Sequence, residues 1–214
     1  MGKTFFRKFS PGIKMRGIPF IVSGPSGAGK TTLYKKAVES LPGLRHSISY
    51  TTRTARPGDR DGVDYWFVDE AAFDRMVEAG EFIEHATVHA KRYGTSKKDL
   101  EAMLSGGVDV ILEIDVQGAH NIRKRLEGGV YVFILPPSVE ACRERLTTRG
   151  QDGTGEMERR LEIALQEIKR AVEYEYIIIN DSAETAFEEL KSIIIAERAK
   201  KERVVERVRG LFTL

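Results

Sequence analysis

The segment IPFIVSGPSGAGKTTLYKKAVESL, which spans residues 18–41, decides the fold class that the sequence predicts. It opens with an apolar run at residues 18–22 that predicts a short buried strand. Residues 31–41 predict a helix, which ends because proline and glycine follow at positions 42 and 43. A strand, a glycine-rich turn and a helix in this order are the opening of an α/β fold.

The turn between strand and helix fits the phosphate-binding loop (P-loop) pattern G-x-x-x-x-G-K-[ST] at every fixed position. Its glycines let the backbone curl so that N–H groups point at phosphate oxygens, and the following helix presents its positive end to the same anion. Lys30 can reach between the β- and γ-phosphates, and the Thr31 hydroxyl can bind Mg²⁺. We therefore predict a nucleoside triphosphate site with Thr31 as its metal ligand. Its residues are Gly24, Pro25, Ser26, Gly27, Ala28, Gly29, Lys30, Thr31 and Thr32.

The P-loop alone does not distinguish a kinase from a GTPase or a motor ATPase. A GTPase would need a guanine-reading motif such as Asn-Lys-x-Asp, and the sequence has none. Asp115 lies at the carboxyl end of a predicted strand, where ligands of such sheets bind. It is therefore a candidate for the acidic residue that helps to hold Mg²⁺.

Three further β-branched runs predict strands, at residues 108–115, 130–135 and 176–179. They are nearly continuous in apolar residues, as expected for parallel strands that are covered on both faces. Helical patterns separate or follow them, at about 119–127, 138–148, 157–173 and 183–205. We therefore expect an α/β protein in which helices wrap a parallel sheet.

Two segments depart from this alternation of strands and helices. Residues 48–98 contain polar turns, short aromatic strands and a helix near 70–79, which together predict an α+β insertion. Residues 147–156 are too rich in glycine for an ordered helix and predict a mobile loop between two helices.

Composition limits the partners and the location. The 214 residues carry a formal net charge of +2, which is too close to zero to indicate a nucleic-acid polymer as partner. The single cysteine, Cys142, cannot form an internal disulfide, and we interpret it as a bystander thiol. The four histidines lack the spacing of metal ligands. No apolar run could span a bilayer, and the basic N-terminal segment lacks the apolar core of a signal peptide, so we expect a cytoplasmic protein.

Motifs beyond the P-loop suggest the second substrate. They are Ser49-Tyr-Thr-Thr-Arg53-Thr-Ala-Arg56-Pro-Gly, Gly62-Val-Asp-Tyr65-Trp-Phe, Phe82-Ile-Glu84-His, Tyr93-Gly-Thr95 and Glu113-Ile-Asp115-Val-Gln-Gly118. In this order and spacing they closely resemble guanylate kinase, over residues of about 18 to 200. The resemblance implies transfer of the γ-phosphoryl group of ATP to GMP, with ATP and Mg²⁺ as cofactors and with GMP and ATP as small-molecule partners.

The resemblance also implies roles for the insertion, and the residue types suit them. Two forked guanidinium groups and two phenol donors would hold the GMP phosphate. These residues are Arg53, Arg56, Tyr65 and Tyr93. Guanine offers donors at N1 and N2 and an acceptor at O6, which suit a carboxylate and a hydroxyl, whereas adenine has no N1 proton. The implied guanine readers are Ser49, Glu84, Thr95 and Asp115. Without the resemblance, Glu84 would be interpreted as a surface acid.

The resemblance further implies a lid that closes over the ATP phosphates, and an adenine pocket lined by Asn180. The implied catalytic residues are Lys30, Arg53 and the lid arginines Arg145, Arg149 and Arg160. The expected segments are a basic tail at 1–17, a P-loop core at 18–47, 99–140 and 162–214, a GMP-binding insertion at 48–98 and a lid at 141–161.

Two alternatives stay open. Another P-loop kinase would act on a different nucleotide, a sugar or an acid, and Glu84 with the segment 49–56 argues against it. A guanylate-kinase-like binding module without catalysis would be expected to have a damaged P-loop, whereas Lys30 and Thr31 are intact. We expect no general base, because the attacking oxygen of the GMP phosphate is already ionised near neutral pH. We also expect a monomer or homodimer with no membrane partner.

Overall fold

The computed structural model describes residues 15–88, 90–147 and 154–212, with backbone alone at 147, 154–157, 206, 207 and 210. The strands in these ranges are β1 (Pro19–Ser23), β2 (Leu44–His46), β3 (Tyr50–Thr51), β4 (Trp66–Phe67), β5 (Phe82–Val88), β6 (Lys91–Ser96), β7 (Asp109–Glu113), β8 (Val130–Leu135) and β9 (Tyr176–Ile179). The α-helices are α1 (Lys30–Ser40), α2 (Glu70–Glu78), α3 (Lys97–Ser105), α4 (Val116–Arg123), α5 (Val139–Thr147), α6 (Thr154–Ile168), α7 (Ala183–Arg198) and α8 (Lys201–Phe212). A 3-10 helix, Lys169–Glu173, continues α6.

Five parallel strands form the main sheet in the order β2-β7-β1-β8-β9. The predicted α/β class and the predicted parallel sheet are therefore confirmed, and β1, which leads into the P-loop, lies at the centre. The sequence does not predict β2, because its three residues, Leu-Arg-His, contain no apolar run.

The central strands β1, β7 and β8 are covered on both faces of the main sheet, and their successive side chains point to opposite sides. Phe20 and Val22 of β1 pack on one face against α1 and α7, where Leu33 and Leu190 are also buried. Ile21 points to the other face and packs against α3 and α4. This arrangement explains why the strands of the main sheet read as nearly continuous apolar runs.

A second sheet, in the order β4-β3-β6-β5, is formed by strands within residues 50–96. β6 pairs antiparallel with β3 and with β5, whereas β3 and β4 are parallel. α2 packs on this sheet through Phe73, whose ring centroid lies 4.7 Å from that of Phe82. The α+β character predicted for residues 48–98 is confirmed, while their boundaries as a domain stay a prediction.

Two helical predictions differ from the structure. The pattern at 183–205 predicts one helix, but α7 ends at Arg198 and α8 begins at Lys201. The N–H of Ala199 bonds to the carbonyl three residues earlier, which tightens the last turn and ends α7. The sequence analysis does not predict α3, although Leu100, Met103 and Leu104 follow the helical period and Ser96 caps the helix by accepting a bond from the N–H three residues later.

The glycine-rich segment at 147–156 is shorter as a loop than predicted, because α6 begins at Thr154. Residues 148–153, which include Arg149, lie outside the described residues, as does most of the predicted basic tail. The expectations for the lid and the tail therefore stay predictions. In the part of the chain that the structure describes, no helix is both long and apolar enough to cross a membrane.

Asp109, at the start of β7, joins three elements at the amino ends of the strands, on the opposite side of the main sheet from the P-loop. Its Oδ1 accepts a bond from the backbone N–H of Ile18 at 2.7 Å, and its Oδ2 accepts a bond from Nε of Arg198 at 2.7 Å. The residue is buried, so this carboxylate holds the entry to β1 and the end of α7 to the sheet.

Candidate active site

The P-loop connects the central strand β1 to α1 at the carboxyl end of the main sheet. Gly24 has φ 147° and lies against β8, where a Cβ atom would sit 2.1 Å from the carbonyl oxygen of Ile134. Gly29, the N-cap of α1, has φ 88°. Both positions therefore require glycine. The predicted residues 24–32 form the loop and the beginning of α1.

Lys30 begins α1, and its side chain folds back over the loop. Its Nζ donates bonds to the carbonyl oxygens of Gly24, at 2.6 Å, and Pro25, at 3.1 Å. Hydrogen bonds between charged groups are stronger than bonds from an ammonium to a neutral carbonyl. Phosphate oxygens in the loop can therefore replace these two carbonyls as acceptors.

Thr31 faces a carboxylate that the sequence analysis did not single out. Its hydroxyl donates to Glu113 and lies 3.2 Å from each carboxylate oxygen. The acidic candidate for Mg²⁺ was Asp115, but β7 ends at Glu113, and Asp115 instead caps α4 by accepting a bond from the N–H of Gly118 at 2.8 Å. The signal that could have found Glu113 is its place at the end of the strand next to β1. Among the described residues, no group of three or more His, Cys, Asp or Glu side chains could hold a metal ion by itself.

Glu84 is a buried carboxylate and not a surface acid. It is 3% exposed, on β5, and its Oε1 accepts a bond at 2.5 Å from the hydroxyl of Thr95, which is fully buried on β6. The pKa of Glu84 is raised to about 7, mainly by burial and also by the negative charge of Asp115, while the bonds from Thr95 act in the opposite direction. Burial also raises the pKa of Asp115.

The carboxylates of Glu84 and Asp115 meet at Gly118, in the first turn of α4. A Cβ atom on Gly118 would lie 2.7 Å from Oε2 of Glu84 and 3.1 Å from Oδ1 of Asp115. The bare glycine therefore makes room for Glu84, which comes from the second sheet. Ser49 is also buried, directly before β3, so the structure places all four predicted guanine readers on buried or half-buried positions.

Three of the four residues predicted for the GMP phosphate lie together. The Arg53 guanidinium lies over the ring of Tyr65, 5.2 Å from its centroid, and Tyr65 meets Tyr93 edge to face with centroids 5.9 Å apart. Burial raises the pKa of the Tyr65 phenol, so it carries its proton at neutral pH. Arg56 is exposed and joins this cluster through its backbone N–H, which donates to Asp59.

Asp59 organises this arginine loop, and the sequence analysis did not identify it. Its Oδ2 accepts bonds from Nη2 of Arg53 and from the backbone N–H of Arg56, both at 2.8 Å. The bond from the Arg56 backbone is the main reason that the pKa of Asp59 lies below its ordinary value. The signal for this role is the turn sequence around Pro57 and Gly58, which brings Asp59 back over the loop.

α5 lies directly beside the P-loop. Nη2 of Arg145 donates to the carbonyl oxygen of Asn180 at 3.1 Å, and the Cβ of Arg145 would lie 3.3 Å from a Cβ on Gly27. The buried Cys142 also touches the loop, with its Sγ 3.9 Å from the carbonyl oxygen of Ser26. Burial raises the pKa of the Cys142 thiol.

α6 contributes one expected and one unexpected residue. Arg160 is half-buried there. Glu167 was not expected, because the pattern at 157–173 predicts only a helix. The pKa of Glu167 is raised to about 7, mainly by burial, with a lowering contribution from the charge of Lys30 and a raising one from that of Asp115. Glu167 therefore belongs to the electrostatic surroundings of the P-loop.

The second sheet is also connected to α1. Nζ of Lys35 on α1 forms an ion pair with Oδ1 of Asp64 at 2.8 Å, one residue before Tyr65. α1 therefore carries the P-loop at its N-terminus, and Lys35 near its middle binds Asp64, the neighbour of Tyr65.

A P-loop at the end of a central parallel strand, with a second polar site on an inserted sheet, defines a P-loop phosphotransferase for small phosphorylated acceptors. The guanylate kinase family model matches residues 16–197, and the chain belongs to this family.

Known proteins agree with this assignment over nearly the whole chain. The chain is 50% identical to the guanylate kinase of Geobacter sulfurreducens over 202 residues, which cover 94% of this chain and 100% of that protein. It is 49% identical to the guanylate kinase of Rhodopseudomonas palustris over 195 residues, which cover 91% and 89%. A crystal structure of guanylate kinase from Anaplasma phagocytophilum has a TM-score of 0.77 and 34% identity, and the match covers 94% of this chain and 98% of that one. The predicted family, fold class and kinase activity are thereby confirmed.

Proposed function

We propose that this member of the guanylate kinase family binds ATP on the P-loop and GMP on the second sheet, and transfers the γ-phosphoryl group between them. The observation that carries the choice of acceptor is the buried pair of Glu84 and Thr95, which meets Asp115 at Gly118. A buried carboxylate without a cationic partner is costly unless a ligand supplies donors to it. Guanine supplies two such donors, N1–H and N2–H.

The guanine readers divide the work in this proposal. The hydroxyl proton of Thr95 is donated to Oε1 of Glu84, so Thr95 orients that carboxylate. Asp115 uses Oδ1 to cap α4, Gln117 also bonds to this carboxylate, and Oδ2 would accept a bond from the base. Ser49 then remains as the hydroxyl donor to O6. Adenine has no N1 proton and would leave Glu84 poorly paired.

The phosphate of GMP is held by Arg53, Arg56, Tyr65 and Tyr93 in this proposal. Asp59 and Tyr65 already orient Arg53 without a ligand, which lowers the entropy that binding must overcome. Because the Tyr65 phenol stays protonated, it can donate to a phosphate dianion.

The ATP phosphates lie along the P-loop, where Lys30 exchanges its carbonyl acceptors for phosphate oxygens. The Thr31 hydroxyl and the Glu113 carboxylate fit Mg²⁺, which prefers oxygen ligands and keeps several waters. When bound, Mg²⁺ would neutralise charge on the phosphate oxygens. Arg145, Arg149 and Arg160 add positive charge from the lid at residues 141–161, and contacts to adenine near Asn180 complete the proposed site.

Catalysis in this proposal rests on alignment and charge neutralisation. The attacking oxygen of GMP is already ionised, so no side chain needs to remove a proton. Closure of the insertion at 48–98 and of the lid keeps water away from the γ-phosphate. We further propose a cytoplasmic protein that acts as a monomer or homodimer on these small molecules, without a nucleic-acid or membrane partner.

The test is a coupled assay of ADP release with ATP and each of GMP, AMP, CMP and UMP. We expect kcat/KM for GMP to exceed that for the other acceptors by at least a hundredfold, since mispaired polar groups cause rejection of this order or more. Lys30→Met serves as the inactive control, with a loss of roughly a hundredfold or more in kcat. A better rate with another acceptor would overturn the assignment of GMP.

A further inference from the structure

Asn180 follows the edge strand β9 and is buried, with 5% of its surface exposed. Its backbone N–H donates to the carbonyl oxygen of Leu135 on β8 at 2.8 Å. Its side-chain Nδ2 donates to the carbonyl oxygen of Ala28, in the P-loop, at 2.7 Å. One residue thus joins the end of the main sheet to the phosphate-binding loop.

The side chain of Asn180 also shapes the next position of the loop. A Cβ atom on Gly29 would lie only 2.3 Å from Nδ2 of Asn180. Gly29 is the N-cap of α1, with φ 88°, and Ala28 is fully buried. The amide therefore packs directly against the point at which the loop turns into the helix.

The bond to Ala28 fixes the direction of the next N–H group. A trans peptide is planar, and its C=O and N–H point in opposite directions. When Nδ2 of Asn180 holds the carbonyl of Ala28, the N–H of Gly29 must point away from Asn180. N–H groups of this loop and of the helix start are the ones that bind phosphate oxygens.

The backbone of Asn180 holds a second group of the site. Its carbonyl oxygen accepts the bond from Nη2 of Arg145 described above, at 3.1 Å. The loop and this arginine are therefore placed relative to the same residue.

We infer that Asn180 is a positioning residue that sets the P-loop for phosphate binding, through Nδ2 and the Ala28 carbonyl, and does not read the adenine base with its side chain. The inference rests on the proposed function only in taking the P-loop as the triphosphate site. The bond to Ala28 fixes the orientation of the amide, which cannot turn towards the base without breaking that buried bond.

Asn180→Asp tests this inference, because it keeps the shape and replaces the donor with an acceptor opposite the Ala28 carbonyl. The first probe is inorganic tripolyphosphate, bound to the full chain in calorimetry without GMP. We expect its affinity to fall by at least tenfold. The second probe is adenosine, as a competitor of ATP, and we expect its inhibition constant to change less than twofold. Asn121→Asp makes the same chemical change on an exposed face of α4 and should alter neither value.

The opposite pattern overturns the inference: weaker adenosine binding with unchanged tripolyphosphate affinity makes Asn180 a reader of the base. Equal losses for both probes also overturn it, because they indicate a general structural defect. Asn180→Ser removes the donor from reach of Ala28 without adding negative charge beside the phosphates, so it must show the same pattern, and it replaces Asn180→Asp if that variant does not fold. Tripolyphosphate binding needs no turnover, so a wild-type protein without GMP kinase activity would contradict the proposed function and leave this test intact.

Discussion

At the scale of the residue, the proposed function predicts that Glu84 determines the choice of GMP as acceptor. Glu84→Gln replaces one acceptor oxygen by a donor that faces a guanine N–H. Mispaired buried polar groups cost about 1–3 kcal/mol, so kcat/KM for GMP should fall by about tenfold to a hundredfold. The KM for ATP should hardly change, and discrimination against AMP should weaken. Steady-state kinetics with both acceptors measure these effects.

Glu81→Gln is the matched control for this prediction. It makes the same change three residues earlier, at an exposed position of the same segment. Its kinetics should equal those of the wild type. If Glu84→Gln also has wild-type kinetics with GMP, then the guanine assignment depends on Ser49, Thr95 and Asp115 alone.

The raised pKa of Glu84 predicts proton release on GMP binding. At pH 6 the free carboxyl is mostly protonated, since its pKa is about 7, whereas the form that accepts two guanine protons is ionised. Calorimetry in buffers of different ionisation enthalpy should therefore detect most of a proton released at pH 6 and little at pH 8. The phosphate of GMP also titrates near pH 6. Glu84→Gln is therefore the reference, because its proton release on GMP binding comes from the phosphate and not from residue 84. Equal proton release by both proteins would contradict the prediction.

The raised pKa of Glu84 also makes the stability of the free protein depend on pH, and the direction is opposite to that for GMP binding. The folded protein binds a proton on Glu84 more tightly than the unfolded chain, whose carboxyl has its ordinary pKa of 4.5. The contribution of Glu84 to the free energy of unfolding therefore falls as pH rises from 4.5 to about 7. GMP binding gains from ionisation over the range in which the free protein loses stability.

Sequence analysis predicts the types of residue in the site better than their exact roles. Glu113 and Asp115 are two residues apart, and either could face Thr31 from an extended strand. Which one does so depends on the end of β7 and on the capping bond from Gly118, and both are set by packing. The sequence analysis does not identify Asp59 either, because its contact with Arg53 depends on the path of the turn between them.

At the scale of the element, α4 contacts β5 of the second sheet, and Gly118 leaves room there for the carboxylate of Glu84. Gly118→Ala favours helix by about 1 kcal/mol, but its Cβ would displace the carboxylate of Glu84. Small displacements of binding groups are expensive, so the KM for GMP should rise by roughly tenfold. The melting temperature and the KM for ATP serve as internal controls. The melting temperature should not fall, and the KM for ATP should change much less than the KM for GMP. A wild-type KM for GMP would show that Glu84 tolerates the added methyl group.

The elements differ in how well the sequence predicts them. β1 and α1 follow from local signals, an apolar run and the P-loop pattern. β2 does not, because three residues beside β7 need no pattern of their own. The division of the predicted helix into α7 and α8 has no glycine or proline to indicate it, since it depends on a tight last turn at Ala199.

At the scale of the whole molecule, Asp109 joins β1, β7 and α7 far from the active site. Asp109→Ala leaves the N–H of Ile18 and the guanidinium of Arg198 without their acceptor. Loss of an acceptor that serves a buried N–H group and a half-buried guanidinium costs about 1–3 kcal/mol, which urea unfolding can measure. Activity per folded molecule should be unchanged. Glu188→Ala, in an exposed pair with Lys191, should cost less than about 0.5 kcal/mol.

The architecture was predictable because its core obeys a simple rule. Strands covered on both faces must be apolar throughout, as β1, β7 and β8 mostly are, and the edge strand β9 is apolar as well although Ile177 and Ile179 are exposed. The order of those strands was not predictable, because it depends on long-range pairing that no local pattern records. The second sheet combines short strands with polar turns, so its α+β character could be predicted but the pairing of its strands could not.

The position of Cys142 gives this chain a chemical reporter of its own motion. The thiol is the sole cysteine of the sequence, and it lies buried in α5 against the carbonyl of Ser26. A buried thiol with a raised pKa reacts with iodoacetamide only after it reaches solvent. The rate of alkylation therefore reports, without an introduced label, how often α5 separates from the P-loop, and a triphosphate that holds the two together slows that reaction.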